Sequence, residues 1–205
     1  MQKMKSKLIR SIFLIAVVST FLIGSSGAYF SDTVVVTGNQ FSTGTWQTGS
    51  ARMVISEIYY EGNKEWIELY NAGNALADIK GWSICDSSNA CGTLNPAQKT
   101  EVSAGGFVVV AHDNGDLNGW TIPSTAEKIN YAGGKIDFDD SGDGVVLKDT
   151  GNIIIDQMSY GFDMTAFIPS CPLVANNHSL ARNPVGLDTN TKNDFIDRTT
   201  PTPGS

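Results

Sequence analysis

Apolar residues in this chain fall in short runs, and turn-forming residues separate them. Met53-Val-Ile-Ser-Glu-Ile-Tyr-Tyr60 and Glu65-Trp-Ile-Glu-Leu-Tyr70 are rich in β-branched and aromatic side chains, with Gly62-Asn63 between them. Residues 77–85 hold Ile79, Trp82 and Ile84, and Gly106-Phe-Val-Val-Val-Ala111 is apolar throughout. Gly144-Val-Val-Leu-Lys-Asp149 and Asn152-Ile-Ile-Ile-Asp156 flank Thr150-Gly151, the spacing of a tight hairpin. Most of the 21 glycines stand at the breaks, so glycine here is punctuation and not low complexity. No stretch keeps a helical period with caps. Short strands closely spaced along a chain predict an all-β sandwich or barrel.

The two ends read differently. Residues 1–28 begin with Lys3, Lys5, Lys7 and Arg10, continue as an apolar run from Ile12 to Ile23, and close on the small residues Gly24-Ser-Ser-Gly-Ala28. Those are the parts of a secretory signal peptide, with cleavage expected between Ala28 and Tyr29. The apolar run falls short of the ~20 residues a membrane span needs, although a retained anchor is the competing reading. Residues 29–50 are rich in Thr, Ser and Gly and read as a tether with one strand signal, Thr33, Val34, Val35, Val36 and Thr37. The sandwich is expected over 51–198, and residues 199–205 as an extended Pro/Thr tail.

Charge narrows the partners. Loss of residues 1–28 removes four positive charges and no negative ones, taking the net charge from −7 to −11. A chain so acidic repels nucleic acid and anionic membranes, so neither is an expected partner. Export also permits disulfides. Cys85 and Cys91 enclose Asp-Ser-Ser-Asn-Ala, a turn-like loop, and a local bridge is the favoured pairing. Cys171 is then a free buried thiol, an intermolecular partner, or the true mate of one of the others.

Candidate chemistry is sparse. The two histidines, His112 and His178, stand in no metal-ligand spacing, and His112 follows an apolar strand as a turn residue would. No nucleophile motif is present, so no catalytic residue and no cofactor is expected. Asp137, Asp139, Asp140 and Asp143 form the best metal candidate, since calcium takes several carboxylate oxygens. The distal Glu of a calcium loop is missing, because Lys148 stands late in the run, and an ordinary turn is the favoured reading. Glu57 and Glu68 read as structural, with Glu68 on a half-exposed face. Tyr59 and Tyr60 would form a ligand platform only if either pointed outward.

Two resemblances extend these readings. Ala28-Tyr-Phe-Ser-Asp-Thr33, Gly38-Asn-Gln-Phe41 and Thr43-Gly44-Thr45 resemble the cleavage region of the camelysin and biofilm-fibre group of secreted proteins, which implies a dedicated signal peptidase. Val54-Ile-Ser-Glu-Ile58, Glu65-Trp-Ile-Glu-Leu-Tyr-Asn71, Ile79-Lys-Gly-Trp82, Gly142-Asp-Gly-Val-Val-Leu147, Ser179-Leu-Ala-Arg182 and Thr200-Pro-Thr-Pro-Gly204 resemble the lamin tail domain. That second resemblance implies an immunoglobulin-like β-sandwich, used in bacteria as an accessory module on exported proteins. The expected function is a non-catalytic binding or structural module, secreted or on a prokaryotic cell surface. An extracellular protein or polysaccharide is the expected partner. The alternative is a self-assembling fibre subunit of an extracellular matrix, joined through Thr33–Thr37.

Overall fold

The computed structural model describes residues 35–36, 39–40 and 49–205, apart from 63, 114, 134 and 135. The chain divides into two units, Met1–Gln47 and Thr48–Ser205. In the first, β1 (Val35–Val36) pairs antiparallel with β2 (Asn39–Gln40). The expected cleavage pair Ala28 and Tyr29, and Thr33, Val34 and Thr37 of the strand signal, lie outside the described residues.

The second unit is all-β, and the one helical turn among its described residues is a short 3-10 segment at Lys192–Asp194. Its strands are β3 (Met53–Tyr59), β4 (Trp66–Asn71), β5 (Ala77–Asp78), β6 (Ser83–Cys85), β7 (Cys91–Leu94), β8 (Glu101–Val102) and β9 (Phe107–Ala111). They continue with β10 (Glu127–Gly133), β11 (Gly144–Lys148), β12 (Ile154–Ser159), β13 (Ser179–Arg182) and β14 (Phe195–Arg198). Ten of them follow the order β12-β11-β6-β7-β10-β9-β4-β3-β13-β14, and β5 pairs with β8 separately. β10 makes the corner. Its first half runs parallel to β9, its register shifts after Tyr131, and its second half runs antiparallel to β7. One curled sheet thus becomes two facing layers, and β12 returns beside β3, where Asp156 Oδ2 accepts the Ile55 amide at 2.7 Å.

The main core lies between the layers. Ile55, Ile67, Leu69, Val108, Val110 and Ile129 come from one, and Ile84, Leu94, Val145, Leu147 and Met158 from the other; all are buried. The opposite face of β3, β4 and β9 is also covered. There Tyr59, Trp66, Val109 and Ala111 pack with Leu117, Trp120 and Ile122 of the connection that follows β9. This second cover changes two expectations. Glu68 is not on a half-exposed face; it is 1% exposed. Residues 199–205 are not an extended tail either, since Pro203 and Gly204 are buried against that face. The reason is hydrogen bonding: buried carboxylates need donors, and the chain end brings them.

The β11–β12 hairpin is looser than its spacing implied. Lys148 pairs with Ile154, and Asp149 Oδ1 holds the connection by accepting the amides of Gly151 at 2.8 Å and Ile153 at 2.9 Å. Asn152 takes φ 61° in that loop, which asparagine tolerates better than a β-branched residue.

Cys85 and Cys91 sit directly opposite in the β6–β7 register, with Cα atoms 4.0 Å apart, and they are disulfide-bonded. Closing so short a loop stabilises the folded state by about 2 kcal/mol on the chain-entropy account. Replacing both with Ser is expected to lower the unfolding free energy measured in urea by that amount. Cys171 is a free thiol in the core, and its burial pushes it up to about 12.

Candidate functional site

The aspartate-rich turn spends its carboxylates on backbone amides. Asp143 Oδ1 accepts Ser87 N at 2.9 Å and Gly144 N at 2.7 Å, and Oδ2 accepts Asp139 N at 3.3 Å. Asp139 Oδ1 accepts the Ser141 hydroxyl at 2.5 Å and amide at 2.7 Å, which together hold its carboxyl below the usual range. Asp140 Oδ1 accepts Gly62 N at 3.3 Å in another connection. Asp139, Asp140 and Asp143 thus point at different amides. Chelation of calcium is accordingly expected to leave the melting temperature unchanged. A loss of stability that added calcium restores would overturn this, because a ligand that binds only the folded state raises its stability.

Beside that turn is a cavity of about 210 Å³, lined by Glu65, His112, Asp116, Tyr131, Asp137 and Phe138 among others. His112 stands at the strand end, as its position in the sequence implied, with Nδ1 3.6 Å from Asp113 Oδ2. Asp116 Oδ2 accepts the Asp113 amide at 3.1 Å. His178 is elsewhere, its Nδ1 2.7 Å from Asp197 Oδ1. The structure therefore brings neither histidine to the other.

Tyr59 and Tyr60 do not make a platform; they are only 6% and 5% exposed. Tyr59 stacks on Trp66 at 6.0 Å and meets Trp120 edge-on, and Tyr60 stacks on Tyr160 at 4.0 Å. The open apolar surface is elsewhere. A groove of about 440 Å³ runs along Arg52, Met53, Leu76, Asp78, Trp82 and Ile155. Small-ligand sites generally occupy roughly 300–1,000 Å³, a range that this groove falls within. Trp82 is half-buried and Leu76 is 56% exposed. Sequence reasoning missed Leu76, and its one signal was an isolated Leu between Asn74 and Asp78 in a turn-rich stretch.

Two buried charge clusters bind the fold together. Arg182 is wholly buried between β3, β12 and the 3-10 turn. Its guanidinium donates to Asp156 Oδ2 at 2.8 Å, Asp194 Oδ2 at 3.2 Å, Ile55 O at 2.9 Å and Leu187 O at 2.7 Å. It also lies 4.6 Å from the centre of the Phe195 ring. Desolvation pushes Asp156 up to about 6 against the pull of Arg182. Desolvation also acts to raise Asp194, but the Thr189 hydroxyl, the amides of Thr189 and Thr191, and Arg182 hold it below its ordinary value.

The second cluster has no such cation. Glu57 of β3 and Glu68 of β4 are cross-strand partners, 2% and 1% exposed. Glu57 accepts the Ser179 hydroxyl, Thr202 N at 3.0 Å and Thr202 Oγ1 at 2.9 Å. Glu68 Oε1 lies 2.5 Å from Ser56 Oγ, and Oε2 accepts Gly204 N at 2.5 Å. Among the described residues, no Lys or Arg forms an ion pair with either carboxylate. The expected structural role of both glutamates holds, and their principal partner is the end of the chain.

An all-β domain folded from one curled sheet into two packed layers, with β3 and β4 central, is an immunoglobulin-like fold. The sequence profile of the Lamin Tail Domain family matches residues 46–162. The chain belongs to that family. No curated protein matches the chain. β13, β14 and the docked C-terminal segment lie beyond the matched region, yet they complete the same sheet and cover its outer face.

Proposed function

We propose that this domain is exported and serves as a non-catalytic binding or structural module, secreted or at a prokaryotic cell surface, with an extracellular polysaccharide or protein as partner. The groove at Trp82 is the observation that carries the binding role. Its volume is of ligand-holding size, and it combines an indole with the open Leu76 side chain and the charged rim of Arg52 and Asp78. The non-catalytic reading draws support from the buried ionisable groups, since Arg182, Asp156, Asp194, Glu57 and Glu68 are all engaged in holding segments of the fold together. The basic-then-apolar leader supports export.

Two measurements test this reading. Mass spectrometry of the secreted or surface fraction is expected to find Tyr29 at the N-terminus; an intact Met1 in purified membranes would mean an anchor. Cosedimentation with purified envelope polysaccharide and envelope protein is expected to show binding that Trp82→Ala weakens about tenfold or more, by the loss of a large aromatic contact. Equal retention by wild type and variant would remove the groove from the binding role. The fibre reading keeps one supporting observation: β14 ends the strand order and leaves Ile196 42% exposed, and an edge strand of this kind can receive a further strand. Size-exclusion chromatography of the mature protein is expected to give a monomer, and polymers lost on deleting residues 29–50 would favour the fibre.

A further inference from the structure

We propose that the Glu57–Glu68 pair is a proton-controlled latch: the segment 200–205 stays docked while Glu68 carries a proton and is released when that proton leaves. The geometry defines the two states. Glu57 already places one carboxylate in this row with three donors, two of them from Thr202. Glu68 is directly opposite across the β3–β4 register, so ionising it puts a second buried charge beside the first. In the protonated state every group has a partner. The Glu68 hydroxyl donates to Ser56 Oγ, the Ser56 hydrogen turns to Glu68 O at 3.2 Å, and Oε2 still accepts Gly204 N.

The surroundings supply little to offset a second charge. On β14, Arg198 donates to Thr202 Oγ1 at 2.7 Å and so reaches the segment without pairing with a glutamate. On β13, the neighbours are Ser179 and Ala181. On β9, the residue opposite Glu68 is Val109, and the next in that row is Lys128 of β10, which is exposed. Over Gly204 lie Ile122, Pro123 and Ala126, none of them charged. Undocking admits water to both carboxylates, so the ionised pair favours the open segment. Desolvation by burial pushes Glu68 up to about 7, with the Glu57 charge acting the same way against the hydrogen bonds from Ser56 and Gly204. A carboxyl raised on folding contributes stability that is full below its unfolded value, near 4.5, and is lost as pH rises through about 7. The latch therefore opens toward alkaline pH, and opening uncovers the Glu57–Glu68–Val109 row together with Ile122.

NMR tests this on the full chain. Amide protection factors at Thr202 and Gly204, corrected for intrinsic exchange, are expected to fall on the order of a hundredfold between about pH 5 and about pH 9, as a shift of roughly two pH units implies. Protection at Ile84 is expected to hold. The Glu68 side-chain carboxyl is expected to titrate with the same midpoint, near 7. Glu68→Gln, which keeps an amide donor toward Ser56 and an acceptor toward Gly204, is expected to remove the pH step. Persistence of the step in that variant would overturn the latch. So would a wild-type Glu68 titration in the ordinary carboxylate range, a readout that needs no variant to fold.

Discussion

Arg182→Ala is expected to destabilise the domain by roughly 3–5 kcal/mol, the range for removing one partner of a buried ion pair. Among the described residues the guanidinium is the one cation paired with Asp156 and Asp194, and it also satisfies the carbonyls of Ile55 and Leu187. Its loss leaves two buried carboxylates uncompensated and opens space beside Phe195. Arg182→Lys is expected to recover only part of this, because one ammonium cannot reach five acceptors spread around a planar fork. The deficit of Arg182→Ala depends on pH. Asp156 is already raised on folding to about 6, so its contribution is full below 3.8 and lost as pH rises through 6. Without Arg182 its folded-state value rises further, which makes the deficit largest above neutrality and smaller in mild acid. Urea denaturation at two pH values measures both effects. A deficit under about 1 kcal/mol would mean that the network contributes no more than a surface pair.

Gly142→Ala is expected to cost roughly 2–4 kcal/mol, from backbone strain and overpacking together. Gly142 has φ 146°, a conformation that side chains disfavour. A Cβ there would lie 2.2 Å from Phe162 N and 2.7 Å from Tyr160 O, both backbone atoms that cannot turn aside. Gly133→Ala is the control, because a Cβ at that position meets nothing within 4 Å, and it is expected to be near neutral. Equal stability of the two variants would show that the turn relaxes freely. The result also bears on the aspartates: a steric requirement at Gly142 gives Gly142-Asp-Gly144 a structural reason that involves no metal.

Much of the architecture was legible because alternation and turn chemistry are local. Met53–Tyr59, Trp66–Asn71, Phe107–Ala111 and Gly144–Lys148 are strands close to where their β-branched and aromatic residues stand. The Cys85–Cys91 bridge was legible for a similar reason, since a short turn-like loop returns its ends to one another. β7, β8, β10, β13 and β14 were not. Cys91-Gly-Thr-Leu94 and Glu127-Lys-Ile-Asn-Tyr-Ala-Gly133 lack a strong apolar run, and they become strands because neighbours on a curled sheet supply ladder partners.

Local sequence by itself determined the β class, the order of the main strands, the short disulfide and the family motifs, because each depends on residues near one another in the chain. Tertiary structure alone decided which faces of those strands meet solvent. The residues of β3, β4 and β9 are the same whether or not a second layer covers them. The partners of Glu57 and Glu68 include Ser179, Thr202 and Gly204, which stand far away in sequence. The position of Arg182 between Asp156 and Asp194 likewise exists only once β12 returns beside β3. An uncompensated carboxylate in the sequence is an exposed one by default; only long-range packing, which no local pattern encodes, buries it.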